Sequence, residues 1–146
     1  MKNLFTRILI VAMAAFTFAA CTDPESKMLD KVVGEWHYAS STEDVYIAFS
    51  ADYTFEMYQK MGEGLLRYRY TGTYDFDGTT LSGVYSDYTP WADDYTVTSS
   101  RNSLTLTAVS NPEYSMTYNR EQIPEEVKTH FVPITKGQSE GPAPVL

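Results

Sequence analysis

Between Glu35 and Arg120 polar and apolar residues alternate in short runs, and the runs are punctuated by Gly, Asp, Asn, Ser and Pro. A period of two puts successive side chains on opposite faces of a pleated strand, so each run reads as a strand with one face buried. The runs predict eight strands, over 35–40, 45–50, 54–60, 65–75, 80–86, 93–99, 103–109 and 114–120. Val45, Ile47 and Phe49 share one face of the second, and Phe55 and Met57 share one face of the third. In the fourth, Leu66, Tyr68 and Tyr70 oppose Arg67 and Arg69, and Gly72 predicts a bulge or bend. Asp77-Gly78 is the strongest hairpin dipeptide in the chain. Every connection is short, and short connections join antiparallel neighbours, because a parallel pair needs a crossover of roughly a dozen residues or more. Eight short antiparallel strands make a sandwich or an up-and-down barrel. No loop is long enough for a Greek-key return, and closure removes exposed edges, so the expected fold is an all-β, eight-stranded antiparallel up-and-down barrel.

Short helices are predicted on either side: one from Ser26 to Val33, stopped at Gly34, and one over Ile123–His130 with Pro124 in its first turn. A length of 146 residues allows one domain. The division expected is a targeting segment over 1–20, a tether over 21–27, the barrel over 28–135 and a frayed Gly-, Ser- and Pro-rich tail over 136–146. Phe49, Phe55, Tyr70, Leu81, Val97 and Leu106 are the expected inward faces. They either line a cavity for a small molecule or pack together as core, and a barrel of eight strands is wide enough for either.

Charge and composition exclude several functions. A net charge of −8 disfavours nucleic acid, whose phosphates need a basic face. A single Cys forbids an internal disulfide and an all-cysteine metal cage. His37 and His130 are the only imidazoles, and neither has a Ser or Cys nucleophile assignable to it, so no catalytic residue and no cofactor is expected. Asp75-Phe76-Asp77-Gly78 has the start of a calcium loop, but Ser86 stands where the closing Glu is required. No metal site is expected.

The N-terminus reads as an address. Lys2 and Arg7 precede an apolar run from Ile8 to Ala20, broken only by Thr17. At ~1.5 Å per residue the run is short against a bilayer core of ~30 Å, and it suits a secretory signal. Phe18-Ala19-Ala20-Cys21 resembles the lipobox of bacterial lipoproteins, with Phe18 where Leu is usual. That resemblance implies cleavage before Cys21, diacylglycerol on its thiol, and an envelope protein moored to a membrane, the outer membrane being the expected one.

Gly34-Glu35-Trp36, opening the first strand after a short helix, resembles the Gly-x-Trp start of lipocalins. The later pattern, including Ile47-Ala48-Phe49, Gly72-Thr73-Tyr74 and Ser103-Leu104-Thr105-Leu106, is similar to the lipocalin-like lipoproteins of Bacteroidetes. The resemblance implies that Gly34, Trp36 and Arg120 close one end of the barrel, with the Arg120 guanidinium across the indole.

One loop stands apart. Asp87-Tyr88-Thr89-Pro90-Trp91-Ala92-Asp93-Asp94-Tyr95 puts three rings and three carboxylates together. Tyr88, Trp91 and Tyr95 could anchor an envelope protein or stack on a glycan, or Trp91 could lid the barrel. Two functions are therefore expected of a monomer: binding of a small apolar or amphipathic molecule inside the barrel, or a filled barrel that meets its partner through residues 87–95.

Overall fold

The computed structural model describes residues 24–61, 63–64, 66–134 and 144–146. The targeting segment, Cys21 and the rest of 1–23 lie outside the described residues, as do residue 135, the last of the expected barrel, and 136–143 of the expected tail. A short helix α1 (Pro24–Leu29) leads into eight strands: β1 (Gly34–Ala39), β2 (Glu43–Phe49), β3 (Thr54–Met61), β4 (Tyr68–Phe76), β5 (Thr80–Tyr85), β6 (Tyr95–Ser99), β7 (Ser103–Ala108) and β8 (Ser115–Arg120). Helix α2 (Glu125–Thr129) and a two-residue strand β9 (Val132–Pro133) follow. Consecutive strands pair antiparallel, β1 pairs with β8, and the ring is the closed up-and-down barrel that the period-two pattern predicts. β9 adds one parallel pairing to the free side of β4.

The turns form where short polar side chains satisfy the backbone. Ser40 Oγ accepts from the Thr42 and Glu43 amides, Asp77 Oδ1 from those of Thr79 and Thr80, and Ser100 Oγ from those of Asn102 and Ser103. These contacts give a reversing chain the acceptors that a ladder otherwise supplies. Between the turns, alternation holds: Leu104, Leu106 and Ala108 of β7, and Met116 and Tyr118 of β8, point inward.

Three expectations change. Leu66 is 60% exposed and β4 begins only at Tyr68, so Leu66 is no part of the buried face. β6 starts at Tyr95, not at Asp93. Of the bulge or bend expected at Gly72 the bulge is ruled out: Gly72 pairs in register with Phe55 on one side and Tyr85 on the other, where β4 passes from β3 to β5. A Cβ there would sit inside the van der Waals surface of the Val84 carbonyl oxygen, 2.8 Å from the Phe55 ring and 2.9 Å from the Tyr85 Cα. Glycine is used for close approach of two backbones.

The outer face of β2 and β3 is also covered. Tyr46 and Tyr58 pack against Ile123 and Val127 around α2, with Phe131 edge-on to Tyr58 at 5.7 Å. Glu35 ties this helix to β1 by accepting from the Ile123 amide (2.8 Å) and from Lys128 Nζ (3.0 Å).

Candidate functional site

The two ends of the barrel are built differently. At one end α1 and the residues after it meet the β2–β3 and β4–β5 turns. Lys31 Nζ donates to the Gly78 carbonyl at 3.0 Å, and Glu25 accepts from the Tyr53 hydroxyl. Leu29, Val32 and Trp36 are buried there, and the Trp36 indole N–H donates to the Val32 carbonyl at 2.8 Å. The Arg120 guanidinium carbon lies 4.1 Å from the Trp36 ring centroid, and its Nε donates to the Arg101 carbonyl at 2.8 Å. Gly34 has φ +142°, and a Cβ on it would fall on the guanidinium. An L side chain is excluded there by the backbone as well as by space. This end is a floor.

The inward residues form one continuous core. Phe49, Phe55, Tyr70, Leu81 and Leu106 are each at most 6% exposed, and Val97 is half-buried against them. Phe49 meets Tyr74 edge-on at 5.1 Å, and Phe55 meets Trp91 at 5.2 Å and Tyr85 at 5.8 Å.

The aromatic-acidic loop is not the expected surface patch. Trp91 and Tyr95 are 6% and 1% exposed, while Tyr88 alone is displayed, at 86%. The reason is long-range. β5 and β6 pair over only two residues, Thr80 with Thr96 and Leu81 with Tyr95. The loop folds back over the rest of β5, with the Tyr85 amide donating to the Thr89 carbonyl (2.8 Å) and the Trp91 amide to the Gly83 carbonyl (3.0 Å). The indole then lies over Gly83, where a Cβ would be 2.5 Å from its ring atoms. The three rings therefore do not present one face to a glycan or a partner protein; Trp91 is a lid folded inward.

The opposite end from α1 is a mouth, and a separate piece of chain fills it. Val145 and Leu146 are 7% and 1% exposed within the main core. Part of the segment expected to fray is thus packed inside. Three wall residues grip its main chain: Gln59 Oε1 accepts from the Val145 amide at 3.0 Å, the Tyr95 hydroxyl donates to the Val145 carbonyl at 3.4 Å, and the Tyr85 hydroxyl donates to the Leu146 main-chain oxygen at 2.6 Å. Burial, then the neighbouring Tyr114 and Asp93, pushes the Tyr95 hydroxyl up to about 12. Burial, then Tyr95, Tyr70 and Asp87, pushes Tyr85 up further. Both therefore remain neutral donors across the physiological range. Beside the segment opens a cleft of about 440 Å³, walled by Glu43, Asp93, Tyr95, Ala108 and Tyr114 together with Pro144 and Val145. Leu66, Tyr88, Val109 and Tyr114, all in loops around this mouth, are large apolar residues left exposed.

Gln59 and Tyr85 were legible as inward only by parity with Phe55 and Met57, and with Leu81; nothing in their residue type marked them. The two histidines are elsewhere. His37 lies on the outer wall between Asp44 (3.0 Å) and Glu121 (2.9 Å), stacked on Tyr46 at 4.0 Å. His130 ends α2, with Thr129 Oγ1 2.9 Å from its Nδ1. Among the described residues no group of His, Cys, Asp and Glu is arranged to hold a metal ion, and no helix is long and apolar enough to cross a membrane.

Residues 23–107, more than half of the chain, match the family of lipocalin-like domains. No curated protein and no solved structure matches the chain.

Proposed function

The chain belongs to the lipocalin-like domain family, and from that premise we propose that it binds a small apolar or amphipathic molecule at the mouth of its barrel. The supporting observation is the manner in which Val145 and Leu146 are held: apolar side chains in a ring-lined core, polar atoms on Gln59, Tyr85 and Tyr95. That combination, an apolar socket with a few convergent polar groups, is the design of a small-molecule site. The family is typically a binding fold, and a role in binding rather than catalysis suits histidines placed on the outside of the wall. We further propose that residues 1–20 are a signal, that Cys21 carries lipid, and that the monomeric barrel is moored to an envelope membrane, most naturally the outer one. Two or more acyl chains hold such a protein stably.

Binding is tested with 1-aminoanthracene, a neutral apolar fluorophore, by following its emission and the quenching of Trp91. One-to-one saturable binding is expected, weakened by Leu81→Asp at the core and unaffected by Tyr88→Ser on the rim. Emission that rises linearly without saturation overturns the proposal. The anchor is tested separately, by labelling with an alkyne fatty acid in a bacterial host: parent chain labelled, Cys21→Ser unlabelled and released from the membrane fraction.

A further inference from the structure

We propose that the mouth is a receptor for a short apolar peptide, and that Val145 and Leu146 are its resident occupant, which an incoming peptide must displace. The inference rests on the mouth being a binding site, and it names the ligand class.

Three features carry it. The first is the order of polar contacts. Gln59 takes an amide N–H, Tyr95 gives to the carbonyl of the same residue, and Tyr85 gives to the main-chain oxygen of the next. Acceptor, donor, donor is the complement of a peptide backbone. A bare alkyl chain offers none of these partners and would leave hydroxyls facing hydrocarbon, which is unfavourable in a dry wall. The second is that recognition uses side chains of three different strands, β3, β5 and β6, and not a sheet edge. Both side chains of the resident segment are buried in the main core, which selects apolar residues at two consecutive positions. The third is charge. The cleft continuing outward past Pro144 is walled by Glu43 and Asp93, which disfavours a negatively charged chain and so a fatty carboxylate.

The resident segment is tethered to the site it fills. Because the occupant belongs to the same chain, its binding is intramolecular and a free peptide competes at a disadvantage.

The experiment uses the full chain with Val145→Gly and Leu146→Gly, which removes the resident side chains without adding charge, and the uncharged C-terminal amide dansyl-Pro-Val-Leu-NH2 as the probe, read by anisotropy. The variant is expected to bind the probe at least tenfold more tightly than the parent. Adding Tyr85→Phe is expected to weaken the probe about fivefold, the effect of one neutral hydrogen bond, and to leave 1-aminoanthracene within about twofold. Near-ultraviolet circular dichroism establishes that each variant is folded. Should the double variant lose its fold, the parent titrated with millimolar probe serves instead: saturable binding, weakened by Tyr85→Phe, is expected. Saturable binding of 1-aminoanthracene with no binding of the probe overturns the peptide inference and leaves the proposed function standing. If neither binds, both fall.

Discussion

Gly72→Ala probes the most crowded point of the barrel. The added methyl group meets two backbones, the Val84 carbonyl oxygen and the Tyr85 Cα at 2.9 Å, and the Phe55 ring at 2.8 Å. A side chain could rotate away, but a strand cannot. β4 and β5 have to separate where Gly72 pairs with Tyr85, and the adjacent bond from the Ser86 amide to the Thr71 carbonyl (2.8 Å) is strained with them. Overpacking a tight site costs about 1–3 kcal/mol. Two weakened main-chain hydrogen bonds add about 1 kcal/mol each. The sum is roughly 3–5 kcal/mol, or a fall in Tm on the order of 15 °C for a domain of this size. Urea unfolding followed by the fluorescence of Trp36 and Trp91 measures it. Gly78→Ala is the control. Its φ of +96° makes alanine unfavourable by about 1–2 kcal/mol, yet among the described residues the new Cβ faces Met28 alone, Sδ at 2.9 Å and Cγ at 3.2 Å, atoms of a flexible side chain that can move. The close-approach account is refuted if Gly72→Ala unfolds at the same urea concentration as Gly78→Ala. Because Gly72 also sets the position of Tyr85, the same variant is expected to loosen the mouth.

Trp36→Phe is expected to cost about 1–2 kcal/mol more than Trp91→Phe in the same assay. The Trp36 N–H donates to the Val32 carbonyl, whereas the Trp91 Nε1 is buried with no hydrogen-bond partner among the described residues, so phenylalanine removes a desolvated donor there. Asp44 gives a pH dependence. Burial raises its carboxyl pKa, but hydrogen bonds from Arg67 and His37, and their charges, outweigh burial and hold it below the ordinary value. The folded state then takes up this proton less readily than the unfolded chain. The stabilisation is complete above the unfolded value of ~3.9 and is lost as pH falls through the lower folded one. Asp44→Asn is expected to be less stable than the parent by about 0.5–1 kcal/mol at pH 7, given solvent screening, with the gap closing below about pH 4 in urea titrations.

The strands were legible because one property, side-chain parity, repeats at every residue from β1 to β8, and because Asp77, Ser40 and Ser100 mark turns by their own hydrogen bonds. What was hidden depends on partners distant in sequence. Three rings and three acids in one loop look like a surface, and nothing local to Trp91 says that Gly83 leaves a space for it or that the β5–β6 ladder stops after two pairs. Gln59 occupies an inward position that alternation assigns to a side chain without saying which; its role appears only when the Val145 amide arrives from 86 residues away. Val145-Leu146 is too short to show any period, and it follows a stretch whose composition suits a loose tail.

The mouth segment is held by little net free energy, and for that reason the barrel can be both filled and receptive. Burying Val145 and Leu146 contributes roughly 3–6 kcal/mol. Their three hydrogen bonds contribute about 1 kcal/mol each. Ordering Pro144, Val145 and Leu146 costs about 1–2 kcal/mol per residue for the backbone and ~0.5–1 kcal/mol for each branched side chain. The balance lies within a few kcal/mol of zero. At the floor the terms differ in kind: Leu29, Val32 and Trp36 belong to chain already fixed by α1 and β1, and Arg120 closes over the indole from β8. Removing the mouth segment breaks none of the pairings that close the ring, β1 with β8 and β3 with β4, whereas opening the floor exposes Trp36 and strips the core from beneath. Stability is therefore concentrated at the end carrying the Gly34-Glu35-Trp36 signature, and exchange at the end where Tyr85, Tyr95 and Gln59 already hold a peptide.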